Sequence, residues 1–184
     1  MIMKEYKLVF TGTTGAGKTT AINAISEVPA VKTDVANTDS TLNKEFTTVG
    51  LDFGQINLAN GDRVRLFGTP GQSRFDFMWK ILTKDAFGLV ILIDNSRPEP
   101  LVDLAVYLDG FAQELVHTPC VIGVGRTEDH PSPSLDDFSS VLESRRFALP
   151  VIPVDVRQPQ DVILLIELLM AQAEADMQEE SLSQ

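Results

Sequence analysis

Apolar and polar positions change period several times along the chain, and each change marks an element. Tyr6-Lys7-Leu8-Val9-Phe10-Thr11 is short, apolar and β-prone, which predicts a first strand over 6–11. Apolar positions then fall at helical spacing through Ala21, Ile22, Ala24 and Ile25, predicting a helix over 18–27 that ends near Pro29. Residues 30–47 are polar, rich in Asn, Asp and Thr, and show no period, which reads as a long loop. A run at 51–58 and an alternating run at 63–67 flank Asn60-Gly61, a two-residue hairpin turn signal. A short helix reaching about Leu82 follows.

Phe87 to Ile93 is almost wholly apolar, as a strand buried on both faces requires. Leu101, Leu104, Ala105, Leu108, Phe111, Ala112 and Leu115 form one helical stripe. Cys120 to Val124 is the next strand, and Ser134 with Asp137 three residues on opens a helix in the manner of a capping box. A last strand spans Leu149 to Val154, and a last amphipathic helix starts at Pro159. This order predicts an α/β fold: a six-stranded, mostly parallel sheet with one antiparallel strand and helices on both faces, three layers in all. The antiparallel strand is the second, because a two-residue turn cannot make a parallel crossover.

The chemistry sits between the first strand and the first helix. Gly12-Thr13-Thr14-Gly15-Ala16-Gly17-Lys18-Thr19 fits G-x-x-x-x-G-K-[ST] at every fixed position, in the strand–turn–helix context that the motif needs. Glycines let consecutive backbone N–H groups curl inward onto phosphate oxygens, and the helix N-terminus adds its dipole. Lys18 is placed for the β- and γ-phosphates, and the Thr19 hydroxyl for Mg²⁺; Thr20 completes the phosphate-binding run.

Composition narrows the function further. A length of 184 residues suits one domain, and 43% apolar residues indicate a globular chain. A net charge of −11 disfavours nucleic acid and anionic membrane as partners. It does not disfavour a nucleotide, whose charge Lys18, backbone amides and Mg²⁺ meet locally. No apolar run approaches a membrane span, and no signal peptide or lipid anchor is indicated. The single cysteine, Cys120, lies in an apolar strand, in keeping with a reducing, cytoplasmic setting. The expected organisation is one domain over 1–175 and an acidic tail over 176–184.

With these motifs in order, the chain resembles the Ras-superfamily small GTPases, and most of all the bacterial branch containing the gliding-motility (MglA-like) GTPases. Thr47-Thr48-Val49-Gly50-Leu51-Asp52-Phe53 is similar to the family's T-x-G-x-D-F run, which implies Thr48 as a Mg²⁺ ligand touching the γ-phosphate. Gly68-Thr69-Pro70-Gly71-Gln72 is similar to the D-x-x-G-Q element. By that match the Gly71 amide faces the γ-phosphate and Gln72 orients the attacking water. The family aspartate is replaced by Gly68, and Asp94 at the end of a neighbouring strand is a candidate to compensate. The base-recognition motif N-K-x-D is reduced to Gly125-Arg126-Thr127-Glu128. Arg126 would lay its stem over the base and Glu128 would supply the carboxylate, with Asp129 the alternative register. Asp155-Val156-Arg157 stands at the last motif: the Val156 amide would face the guanine O6 and Asp155 would brace the loop.

The resemblance implies GTP and GDP as ligands, Mg²⁺ as cofactor, and a switch that hydrolyses GTP with Lys18 and Gln72 as catalytic residues. No arginine occurs from 20 to 62, and Thr14 crowds the place where an external arginine would enter, so unassisted hydrolysis should be slow. Expected partners are a roadblock-type activating protein and an effector, both at the switch regions. Two alternatives are a non-hydrolysing nucleotide-binding scaffold with relaxed base choice and a P-loop kinase. The second is disfavoured because 126–146 carries only Arg126, Arg145 and Arg146, too few for a kinase lid.

Overall fold

The computed structural model describes residues 3–29, 31–35, 49–71 and 76–182. The strands are β1 (Glu5–Gly12), β2 (Val31–Val35), β3 (Val49–Asn57), β4 (Arg63–Gly68), β5 (Gly88–Asp94), β6 (Cys120–Gly125) and β7 (Val151–Pro153). The helices are α1 (Lys18–Ile25), α2 (Asp76–Thr83), α3 (Pro100–Gly110), α4 (Leu135–Ser144) and α5 (Pro159–Leu182). One sheet runs in the order β2-β3-β4-β1-β5-β6-β7. β3 is antiparallel to both its neighbours, and every other pairing is parallel.

This is the expected α/β fold with one strand more. The stretch read as a loop from residue 30 begins with β2, which pairs with β3 at the sheet edge. Five residues carry too short a pattern to stand out, and the open edge of β3 supplies the hydrogen-bonding partner.

Alternate residues of each central strand feed two cores, which is why those strands read as continuous apolar runs. Leu8, Phe10, Val90 and Leu92 face α1 and α5 through Ile22, Val162, Leu165 and Leu169. Val9, Leu89, Ile91 and Ile93 face α2, α3 and α4 through Trp79, Leu104, Leu108 and Phe138. Ser134 and Asp137 form the predicted capping box at the start of α4. The third helical stripe is broken after Gly110 and resumes as a 3₁₀ turn at Glu114–Val116.

The hairpin turn differs from the two-residue reading in a way that matters for the site. Gly61 N–H donates to Leu58 O at 2.9 Å, Leu58 N–H donates to Asp62 O at 2.8 Å, and Gly61 has φ +88°. The loop is therefore three residues, a turn followed by a left-handed glycine. Its register sets Asp52 opposite Gly68.

Candidate functional site

The phosphate loop leaves the carboxyl end of β1, the sheet position at which flanking connections diverge and ligands collect. Gly17 has φ +99°, and a Cβ there would lie 2.6 Å from Val156 Cγ2. Only glycine lets the loop turn into α1 while packing on the segment after β7. Lys18 is 8% exposed, and its ammonium donates to Gly12 O at 2.6 Å and Thr13 O at 2.8 Å. Burial pushes its pKa down to about 8, with the Asp52 carboxylate pulling the other way.

The Thr19 hydroxyl donates to Asp52 Oδ2 at 2.5 Å. Asp52 thus reaches the phosphate loop from β3. A Cβ at Gly68 would lie 3.0 Å from Asp52 Cβ and 3.1 Å from its Oδ2. The Asp52 carboxylate fills the space into which a side chain at position 68 would grow. This corrects the expectation for Asp94, whose carboxylate takes a bond from the Arg126 guanidinium and from Ser96 N–H and Oγ, at 2.9 and 2.6 Å. Asp94 belongs to the base side of the site, not to the phosphate side.

The strand after the hairpin delivers the next segment onto the loop. Thr69 N–H donates to Phe10 O at 2.8 Å, and the Thr69 and Thr11 hydroxyls are 2.8 Å apart in the interior. Gly71 then lies against Thr14: a Cβ there would be 2.5 Å from Thr14 N. Thr48 and Gln72 lie outside the described residues.

On the other side a cavity of about 450 Å³ is bounded by Gly15 to Gly17, Thr20, Gly125 to Asp129 and Asp155 to Arg157. That volume falls in the range of small-ligand sites. Arg126, at φ +62°, points its guanidinium at Asp94. Glu128 and Asp129 are both exposed and both line the cavity, so each register of the base motif has its carboxylate there. The Asp155 carboxylate is held down to about 2 by hydrogen bonds from the Arg157 side chain and backbone, two of them at 2.8 Å from the guanidinium. Asp155 N–H in turn donates to Asp161 Oδ2 at 2.8 Å, tying the loop to the first turn of α5.

Two contributors escaped the sequence reading. Asp52 sits inside the quoted T-x-G-x-D-F run, and counting the hairpin register outward from a three-residue loop would have placed it opposite Gly68. Asn95, 3% exposed, donates its side-chain amide to His130 O at 2.6 Å and Pro133 O at 3.0 Å. It stitches the end of β5 to the loop that carries Arg126 and Glu128. No sequence pattern distinguishes it.

A strand, a glycine loop with a buried lysine, and a helix at the carboxyl end of a largely parallel sheet define a P-loop nucleotide-binding domain. Residues 7–126 match the sequence model of the 50S ribosome-binding GTPase family. Bovine intraflagellar transport protein 22 homolog is 26% identical, over 71% of this chain and 73% of its own. Bovine Ras-related protein Rab-27B is 23% identical, over 89% of this chain and 77% of its own. An uncharacterized protein of Methanocaldococcus jannaschii is 31% identical over 50% of this chain, which spans about half (53%) of that relative's length. The chain belongs to the GTPase family that the 7–126 match defines, as a small GTP-binding protein of the Ras superfamily.

Proposed function

We propose that the chain is a molecular switch that binds GTP and GDP with Mg²⁺ and slowly hydrolyses GTP. The observation that carries this reading is the pairing of a buried Lys18 with the Thr19–Asp52 contact at the mouth of the phosphate loop. Phosphate oxygens need a cation there, and Lys18 supplies it. Thr19 and Asp52 bring a hydroxyl and a carboxylate together, hard oxygen donors of the kind that suit Mg²⁺ directly or through its waters. The two fit the ion as a pair. Thr48, by resemblance, would add a third oxygen. When bound, the ion supplies charge neutralisation at the β- and γ-phosphates.

Hydrolysis then needs a water attacking the γ-phosphorus as the bond to the β–γ bridging oxygen breaks, yielding GDP and phosphate. Gln72 orients that water, and the Gly71 amide steadies a γ-oxygen. Lys18 and the loop amides hold the charge shifting onto the leaving oxygens. Loss of the γ-phosphate releases residues 30–50 and 68–80, the surface through which partners sense the state. By resemblance to the MglA-like branch, those partners include a roadblock-type activating protein and an effector in the bacterial cytoplasm.

One observation favours a second reading, a nucleotide-binding scaffold without turnover. Gly125 lacks the family's asparagine side chain, and Glu128 lies exposed rather than buried. Identifying the nucleotide that copurifies, then following release of labelled phosphate from GTP and ATP in a single turnover, separates the two. GTP-dependent release supports the switch. Tight binding with no release, or equal use of ATP, supports the scaffold or a general NTPase.

A further inference from the structure

The proposed switch has no arginine in the 20–62 stretch to meet the terminal phosphate, yet one stands close by on another segment. Arg97 follows β5 and precedes α3. It lines a cleft of about 330 Å³ together with Thr13 and Thr14 of the phosphate loop and with Gly71. No residue of this cleft also lines the base cavity, so it opens on the terminal-phosphate side of the loop.

Within the cleft the guanidinium is parked on Asp103 in the first turn of α3. Nε donates to Oδ2 at 2.5 Å and Nη2 to Oδ1 at 3.3 Å. The Arg97 side chain is 40% exposed, and ion pairs open to water to that degree are weak. A triphosphate, with more charge than one carboxylate, can draw the guanidinium away. Thr13 and Trp79 both line the cleft, and their Oγ1 and Nε1 atoms are buried with no hydrogen-bond partner among the described residues.

Of the other described arginines, none lines this cleft, and all but Arg146 are paired with a carboxylate. Arg126 is on Asp94, Arg157 on Asp155, Arg145 on Asp109, and Arg63 and Arg65 on Glu5.

We propose that Arg97 is a catalytic residue, an arginine supplied in cis that leaves Asp103 and turns onto the γ-phosphate of bound GTP. There it meets the negative charge that builds on the γ-oxygens and the bridging oxygen as water adds to phosphorus and GDP departs. The proton of the water leaves with the phosphate product or passes to solvent. An arginine in this role acts on the transition state far more than on the ground state. Asp103 is the carboxylate that holds Arg97 back until the nucleotide is bound. The proposal rests on the GTPase reading above.

The test is single-turnover hydrolysis at saturating GTP for the wild type, Arg97→Ala, Arg97→Lys and Asp103→Asn. GDP affinity and melting temperature are measured on each, together with binding of GDP plus aluminium fluoride. Arg97→Ala should hydrolyse at least about tenfold more slowly while its GDP affinity stays within about twofold, because an arginine finger is worth far more than that in rate. Arg97→Lys should fall between, since an ammonium keeps the charge and loses the planar fork. Asp103→Asn should hydrolyse faster, because the Arg97 guanidinium loses the carboxylate that parks it. The wild type should form the aluminium fluoride complex unaided, and Arg97→Ala should not. A wild type that hydrolyses GTP, with Arg97→Ala and Arg97→Lys within twofold of it, overturns the role of Arg97 and leaves the GTPase reading intact. A wild type that binds GTP and never releases phosphate overturns both.

Discussion

Lys18 holds its charge against its surroundings, and nucleotide binding should expose that. It is 8% exposed, and burial lowers its pKa from the ordinary 10.5 to about 8 despite Asp52. The acceptors of its ammonium are the neutral carbonyls of Gly12 and Thr13. Without nucleotide, the folded protein binds fewer protons here than the unfolded chain between pH 8 and 10.5. The stability contributed by this group therefore rises with pH across that window. Below pH 8 the buried charge weighs against the fold by about 3 kcal/mol, at about 1.4 kcal/mol per pH unit. Phosphate oxygens favour the charged form, so binding raises the pKa again. Above pH 8 the complex takes up a proton as it forms, and affinity drops as pH climbs. From pH 7 to 9 the fall should be about tenfold. Calorimetric titration with GDP at pH 8, in two buffers of different ionisation heat, counts the proton directly. About half a proton per nucleotide is expected. Identical heats in the two buffers would refute the reasoning: either Lys18 is fully charged beforehand, or the phosphates do not meet it.

Four further outcomes are expected. Asp52→Ala should raise the Mg²⁺ concentration needed to retain nucleotide by about tenfold, the usual scale for losing a residue that supports a metal site; an unchanged Mg²⁺ titration of nucleotide release would remove Asp52 from that site. Gly71→Ala should slow GTP hydrolysis and leave GDP affinity nearly intact, because its methyl would lie 2.5 Å from Thr14 N and lift the segment off the phosphate loop; equal single-turnover rates would show that the contact is not needed. Gln72→Leu should likewise slow hydrolysis with binding retained, as a group acting on the attacking water must, and an unaltered rate would remove it from the mechanism. Glu128→Ala should reduce the preference for GTP over ATP in competition binding, by the about 1–2 kcal/mol of one hydrogen bond. If Asp129→Ala does this instead, the base is read one residue further on.

Long-period features were legible in the sequence, and pairings across strands were not. The phosphate loop, the doubly buried β5 and the Ser134 capping box each follow from a contiguous pattern. β2 was hidden because five residues at an edge draw their stability from β3 rather than from their own alternation. Asp52 was hidden by a single residue of turn geometry. A two-residue turn at Asn60-Gly61 would set Ala59 opposite Asp62 and so Phe53 opposite Gly68. The three-residue loop seen here moves every pair by one and puts Asp52 there instead. The carboxylate that lies against position 68 thus belongs to a cross-strand neighbour that only the register reveals. Arg126 and Asp94 are similar: they are 32 positions apart, and their meeting depends on β5 pairing with β6.

The fit of Asp52 against Gly68 also restricts how such a site can change. A side chain at position 68 would begin 3.0 Å from Asp52 Cβ and 3.2 Å from Ile22 Cδ1, so any residue larger than glycine there shifts Asp52 or Ile22 by a few tenths of an ångström. Asp52 Oδ2 accepts from the Thr19 hydroxyl, so that shift passes straight into the first turn of α1. A change on β4 thus reaches the phosphate loop without touching it, through a neighbour one strand away.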